Sequence, residues 1–104
     1  MLVCESVDPS RFGVLETDSD GFITGIEEKP ENPKTNIVST GAMLLDNNIF
    51  KFPAKQHQNG EFYLTDSIEQ MIASGHKVKA IRSSFWFPIG YPEDLAKAEE
   101  VLRK

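Results

Sequence analysis

The sequence predicts an α/β fold of α+β-like character, a mixed β-sheet with an antiparallel hairpin and two main helices packed on it. Three observations carry that reading. Residues 12–17 and 22–28 are strand patterns joined by Asp18-Ser19-Asp20-Gly21, whose Asp and Gly can take the positive φ values of a tight connection. Two later stretches, residues 64–73 and the segment opening at Pro92, place apolar residues at helical spacing. At 104 residues, with 39% hydrophobic and 26% charged composition, the chain has room for one domain, residues 1–104, and an adequate core.

Taken in order, residues 2–6 form a short strand in which the single cysteine, Cys4, reads as a small core-facing residue. Asp8-Pro9 then turns the chain into the hairpin. The hairpin's Asp-Ser-Asp-Gly invites a calcium reading, but the twelfth position counted from Asp18 holds Lys29, where a bidentate Glu is needed. Residues 30–36 are a polar loop with two prolines. In residues 37–45, Val38, Thr40, Ala42 and Leu44 share one face, and Ser39, Gly41, Met43 and Leu45 the other. Both faces are mostly apolar, which predicts a central strand covered on both sides. Residues 49–52 read as a helical turn and 54–60 as an exposed loop. The helix over 64–73 turns Leu64, Ile68, Met71 and Ile72 inward, with Thr65 or Asp66 as N-cap and Gly75 past its end. Residues 78–81 form a strand that runs on toward Phe87. The last helix has Pro92, Glu93 and Asp94 in its first turn, Arg103 and Lys104 at its close, and Leu95, Ala98 and Leu102 as its buried stripe.

Composition excludes several function classes. A net charge of −5 argues against nucleic acid, whose binders cluster Lys and Arg. No apolar run approaches the roughly 20 residues of a membrane span, and one cysteine allows neither a disulfide framework nor a thiolate metal site. The start of the chain has no secretory pattern, so a cytoplasmic location is expected. His57 and His76 stand in polar context without the partners of a catalytic triad and read as solvated loop residues.

Four segments stand out for chemistry. Gly25-Ile26-Glu27-Glu28-Lys29-Pro30 sets carboxylates and an ammonium at a strand end, either an exposed charged run or a grip for a phosphorylated polyol. Gly41, in the second apolar run with Ser39 and Thr40, marks a bulge or a ligand's close approach to the backbone. Gly60-Glu61-Phe62-Tyr63-Leu64-Thr65-Asp66 leads into a helix and is sufficient as capping chemistry. Trp86-Phe87-Pro88-Ile89-Gly90 is an aromatic run that builds core or offers a stacking platform.

Together with Asp8-Pro9-Ser10-Arg11-Phe12-Gly13-Val14, these segments resemble the sugar-1-phosphate nucleotidyltransferases, the NDP-sugar pyrophosphorylases. The resemblance covers nearly the whole chain and the second half of that family's catalytic domain. It implies half of a Rossmann-like nucleotide-diphospho-sugar transferase domain. It further implies that Glu28 contacts sugar hydroxyls, Lys29 the sugar phosphate, and Gly41, Thr40 and Glu61 the sugar pocket. The family's aromatic residue two positions after the glycine is Met43 here, and the arginine some members carry before the Gly-Glu pair is Asn59. Many members read Trp-x-Asp-x-Gly, where the Asp holds magnesium with a second Asp from the other half. Pro88 replaces it, so magnesium is expected of the complete enzyme and direct binding by this chain is not. No glycine-rich turn opens a helix anywhere in the chain, so the nucleotide-binding half is expected to lie outside these residues. The resemblance thus implies a sugar-phosphate-binding portion, inactive alone and completed by an NTP-binding half, or else a non-catalytic oligomerisation module. A homodimer through an exposed sheet edge or apolar face is expected, and neither nucleic acid nor membrane as partner.

Overall fold

The structure is a computed structural model that describes residues 1–103. Its centre is a five-stranded mixed sheet of order β3-β2-β4-β1-β5, formed by β1 (Leu2–Glu5), β2 (Gly13–Thr17), β3 (Ile23–Glu28), β4 (Ile37–Ser39) and β5 (Ile81–Arg82). All pairings are antiparallel except β1 with β5. Helices α1 (Leu64–Ala73) and α2 (Pro92–Leu102) complete the two-helix architecture, with one-turn 3-10 helices at Pro9–Arg11 and Asn47–Lys51. The mixed sheet, the hairpin and both helices follow the sequence.

The hairpin closes on its own side chain. Asp18 Oδ1 accepts from the amides of Asp20 and Phe22 at 2.9 Å each, and Gly21 takes φ +85°. That carboxylate is an Asx turn, so the calcium reading has no role to fill. In register, Leu15 faces Ile26 across β2 and β3. Both belong to a buried cluster with Val3, Ile23 and Ile68, the last delivered by α1. Alternation in the strands and helical spacing in α1 thus meet in one core.

Three expectations are corrected. The strand expected over 37–45 stops at Ser39, because Gly41 takes φ +88° and breaks the extended path. Thr40 and Ala42 still exchange backbone bonds with Leu2, at 3.1 and 2.9 Å, but Leu44 is 97% exposed. The strand is central in the sheet, as predicted, yet only Val38 is fully covered. Residues 78–80 turn out to bridge the hairpin, with Ile23 N donating to Val78 O and Ala80 N to Gly21 O. Only Ile81–Arg82 join β1, so one segment touches both edges of the sheet. In α2 the expected stripe is wrong: Ala98 is buried, but Leu95 and Leu102 are exposed, and the second buried residue is Asp94. This helix docks through positions i and i+4 of its first turns rather than along an apolar stripe. Arg103 closes it, and Lys104 lies outside the described residues.

Candidate functional site

Glu28 ends β3 directly opposite Gly13 of β2. A Cβ at position 13 would lie 3.1 Å from Glu28 Oε2 and 3.4 Å from Thr65 Cγ2. The buried glycine therefore leaves the room in which the Glu28 carboxylate lies against the first turn of α1. Lys29 follows at φ 47°, the one non-glycine residue in the left-handed region among those described, with its amide bonded to Phe12 O at 3.0 Å. Such a conformation costs a side-chain-bearing residue on the order of 1 kcal/mol and is found where surrounding structure enforces it. It carries the chain out of the sheet and leaves the Lys29 ammonium 5.7 Å from the centre of the Tyr63 ring.

A cleft of about 470 Å³ opens here, between the β2–β3 hairpin and the start of α1. Glu28, Lys34, His57, Tyr63, Thr65 and Asp66 are among its walls. The α1 N-terminus is not capped as expected. Tyr63 is the N-cap and offers no side-chain bond to an amide. Asp66 bonds His57 Nε2 at 2.7 Å, and Thr65 Oγ1 is buried without a partner. Nor is His57 a merely solvated residue, since its ring also lies 4.5 Å from that of Tyr63. His76 likewise packs edge-on against Phe52 at 5.6 Å.

The other expected residues lie elsewhere. Thr40 lines a second hollow of about 420 Å³ with Arg11, Phe12 and residues 86–90, and its hydroxyl donates to Leu2 O at 3.1 Å. Gly41 is exposed beside it, with nothing within 4 Å of an added Cβ, so its positive φ accounts for the glycine without crowding. Glu61 is exposed on the loop before α1, its amide bonded to Asn59 Oδ1 at 3.0 Å. The five expected residues thus fall into three places. Glu28 lines the cleft, Lys29 leans on its wall at Tyr63, and Thr40, Gly41 and Glu61 stand apart from it. Trp86 is half-buried edge-on to Phe12 at 5.0 Å, while Phe85 is exposed.

Sequence reasoning missed Tyr63, Thr65 and His57 as cleft residues, and Arg11 as a tie. The signal was present for Tyr63 and Thr65, which lie in the segment 60–66 already singled out, whereas His57 lies just before it. Arg11 Nη2 reaches Asp94 Oδ2 at 3.4 Å, and its guanidinium stacks on Tyr91 at 4.7 Å. The amides of Gly90 and Tyr91, each donating at 3.0 Å, hold the Asp94 carboxyl below its ordinary range, and Arg11 adds to this against a desolvation cost. These contacts also limit the donors this chain could offer magnesium. Pro88 has no side-chain oxygen and Asp94 Oδ2 is already taken three times. No group of three His, Cys, Asp or Glu able to hold a metal occurs among the described residues. These residues do not fit the ion, and no step below runs through it.

Comparison with known proteins agrees with this architecture. A family model described as "Nucleotidyl transferase" matches residues 1–104. The chain is 37% identical over 96% of its length to the bifunctional protein GlmU of Methanocaldococcus jannaschii, covering 25% of that protein. It is 38% identical over 93% of its length to the UTP–glucose-1-phosphate uridylyltransferase AglF of Haloferax volcanii, covering 41% of it. Among solved structures, a Bacillus anthracis protein assigned as a glucose-1-phosphate thymidylyltransferase superposes with a TM-score of 0.80 at 30% identity, over 99% of this chain and 42% of that one. A UDP-glucose pyrophosphorylase superposes at 0.85 with 21% identity, a likeness of fold. The chain spans about a quarter to two-fifths of the length of the relatives it matches. On the full-length match and this shared fold, the chain belongs to the nucleotidyl transferase family.

Proposed function

We propose that residues 1–104 form a single domain that supplies the sugar-1-phosphate side of an enzyme making an NDP-sugar from a sugar 1-phosphate and a nucleoside triphosphate. The observation that carries this is the Glu28 carboxylate, lodged over Gly13 at the mouth of a cleft, with the Lys29 ammonium forced out beside it. A carboxylate accepts hydrogen bonds from two sugar hydroxyls, and an ammonium neutralises a phosphate as a point charge. In the reaction, a phosphate oxygen of the sugar 1-phosphate attacks the α-phosphorus of the triphosphate and pyrophosphate leaves. This chemistry needs positioning and charge neutralisation, with no covalent intermediate on the protein. Glu28 fixes the sugar and Lys29 offsets the charge on the attacking phosphate, whereas Thr40, Gly41 and Glu61 stand apart from the cleft and take no contact in this reading. No residue here is assigned to the triphosphate, so these residues by themselves turn over little. Removing the Lys29 ammonium deletes a charge-assisted contact of about 1.5–3 kcal/mol, which weakens sugar-phosphate binding roughly 10- to 100-fold. Calorimetric titration of Lys29→Ala with glucose 1-phosphate tests this; wild-type affinity in the variant would overturn the assignment.

A second reading has one specific observation in its favour. Phe85, Ile89, Tyr91, Leu95 and Leu102, in α2 and the segment before it, are each more than half exposed. An interaction module, dimerising through such a surface, would use them without any ligand in the cleft. Light scattering at high concentration separates the readings, since a monomer that binds sugar phosphate leaves the module reading without support.

A further inference from the structure

The His57–Asp66 pair is unaccounted for by the proposal above, and the structure around it limits what it can be for. The loop that carries His57 is already closed without the imidazole. His57 N donates to Glu61 O and Gly60 N to His57 O, both at 2.9 Å, and Gln56 Nε2 reaches Gly60 O at 3.2 Å. Asn59 Nδ2 ties the loop to the Tyr63 hydroxyl at 2.6 Å. The side-chain bond from His57 to Asp66 is therefore additional to loop closure.

What that bond does fix is the imidazole's tautomer. Asp66 sits in the first turn of α1, where the helix dipole favours the carboxylate. An ionised carboxylate only accepts, so Nε2 carries the proton and neutral His57 keeps an acceptor lone pair on Nδ1. Nδ1 makes no hydrogen bond among the described residues, and the side chain is 40% exposed on the wall of the cleft, its ring tilted against that of Tyr63. The surrounding wall is rich in carboxylates, with Glu28, Asp66 and Glu69 all lining it. Carboxylates and the Nδ1 lone pair are all acceptors, so this part of the wall is matched to the hydroxyls of a ligand, while Lys34 on the same cleft and Lys29 beside Tyr63 are the cations for its phosphate.

We propose that His57, oriented by Asp66, is a sugar-specificity residue that accepts a hydrogen bond from one hydroxyl of the sugar through Nδ1. The inference rests on the reading of the cleft as a sugar-phosphate site. Asp66 is the positioning residue in this arrangement, and Tyr63 supplies an apolar floor against which a sugar ring can lie.

Two substitutions separate ligand contact from a structural clasp. An Asn amide stands near the place of Nδ1 and cannot reach Asp66, whereas a Gln amide stands near Nε2 and can. Calorimetric titration of the 104-residue chain with glucose 1-phosphate, with melting temperatures in parallel, compares His57→Asn, His57→Gln and His57→Ala. One neutral hydrogen bond predicts a five- to tenfold weaker Kd for Ala and Gln. Asn stays within about twofold of wild type, and none of the three shifts the melting temperature by more than a few degrees, as for an exposed site. Affinity kept by Gln and lost by Asn would overturn the proposal in favour of a clasp, and equal behaviour of all three variants, whether unchanged or weakened alike, would overturn it too. A wild-type protein that binds no hexose 1-phosphate would bring down the underlying reading, a result distinct from binding that is merely indifferent to His57.

Discussion

At the scale of single residues, the cleft depends on two backbone facts that a motif does not announce. Gly13 is buried, and a methyl group there would meet Glu28 Oε2 at 3.1 Å. Gly13→Ala should therefore push the carboxylate aside and weaken glucose 1-phosphate binding about tenfold at a stability cost near 1 kcal/mol, since the obstructing atom ends a movable side chain. Titration and urea unfolding of the same variant check both numbers; unchanged affinity would show that Glu28 is not held where it is used. Lys29 offers the complementary case. Its φ of 47° is one that glycine adopts without strain, so Lys29→Gly should leave stability within about 1 kcal/mol of wild type while losing the ammonium's share of binding. Melting curves and titrations that fell together would contradict this separation. Glu28 and Lys29 stood out as site candidates because charge at a strand end is visible in the sequence and the family resemblance marks that motif. The room above Gly13, the strain at Lys29 and the His57–Asp66 pair were not legible there, because strand register, a backbone dihedral and the path of a loop leave no residue pattern in the sequence.

At the scale of elements, the two helices are held in different ways and should fail differently. Helix α1 buries Ile68 completely against Leu15, Ile23 and Ile26. Ile68→Ala should cost about 2–5 kcal/mol by lost transfer energy and the cavity left behind. A melting point lowered by 10 °C or more is the expected reading, and a drop of only a degree or two would mean that α1 is not part of this core. Helix α2 is anchored mainly by a charge. Asp94 ties the amides of Gly90 and Tyr91 and the guanidinium of Arg11 to its own first turn. Its carboxyl is held below the usual range, so its contribution is full above the unfolded pKa of roughly 4 and is lost as pH falls through the lower folded value. Urea midpoints followed downward from pH 5 should fall less steeply for Asp94→Asn than for wild type, and parallel curves would rule out the anchor. Helical spacing found α1 at Leu64–Ala73 and the start of α2 at Pro92, because periodicity is a local signal. It misjudged the buried face of α2, because what covers a helix is decided by distant segments such as Pro9–Arg11.

At the scale of the whole molecule, the order of strands and helices was readable and the sheet's connectivity was not. Residues 37–45 looked like a continuous strand by composition, and a single left-handed glycine shortened it to Ile37–Ser39. Segment 78–82 looked like one strand and divides between the hairpin and β1. Both departures place apolar residues at the surface, Leu44 in the first and Ile81 in the second. The functional reading needs only one part of this architecture, the meeting of the β2–β3 hairpin with the start of α1. No helix among the described residues is long and apolar enough to cross a membrane. The central claim is that this meeting point binds a sugar 1-phosphate independently of any nucleotide. A two-dimensional amide NMR titration tests it most directly, first with glucose 1-phosphate and then with uridine triphosphate. The account predicts saturable shifts at Glu28, Lys29, Tyr63 and Thr65 with the sugar phosphate and none there with the triphosphate. Absence of saturation with the sugar phosphate, or the same amides answering to the triphosphate instead, would contradict it.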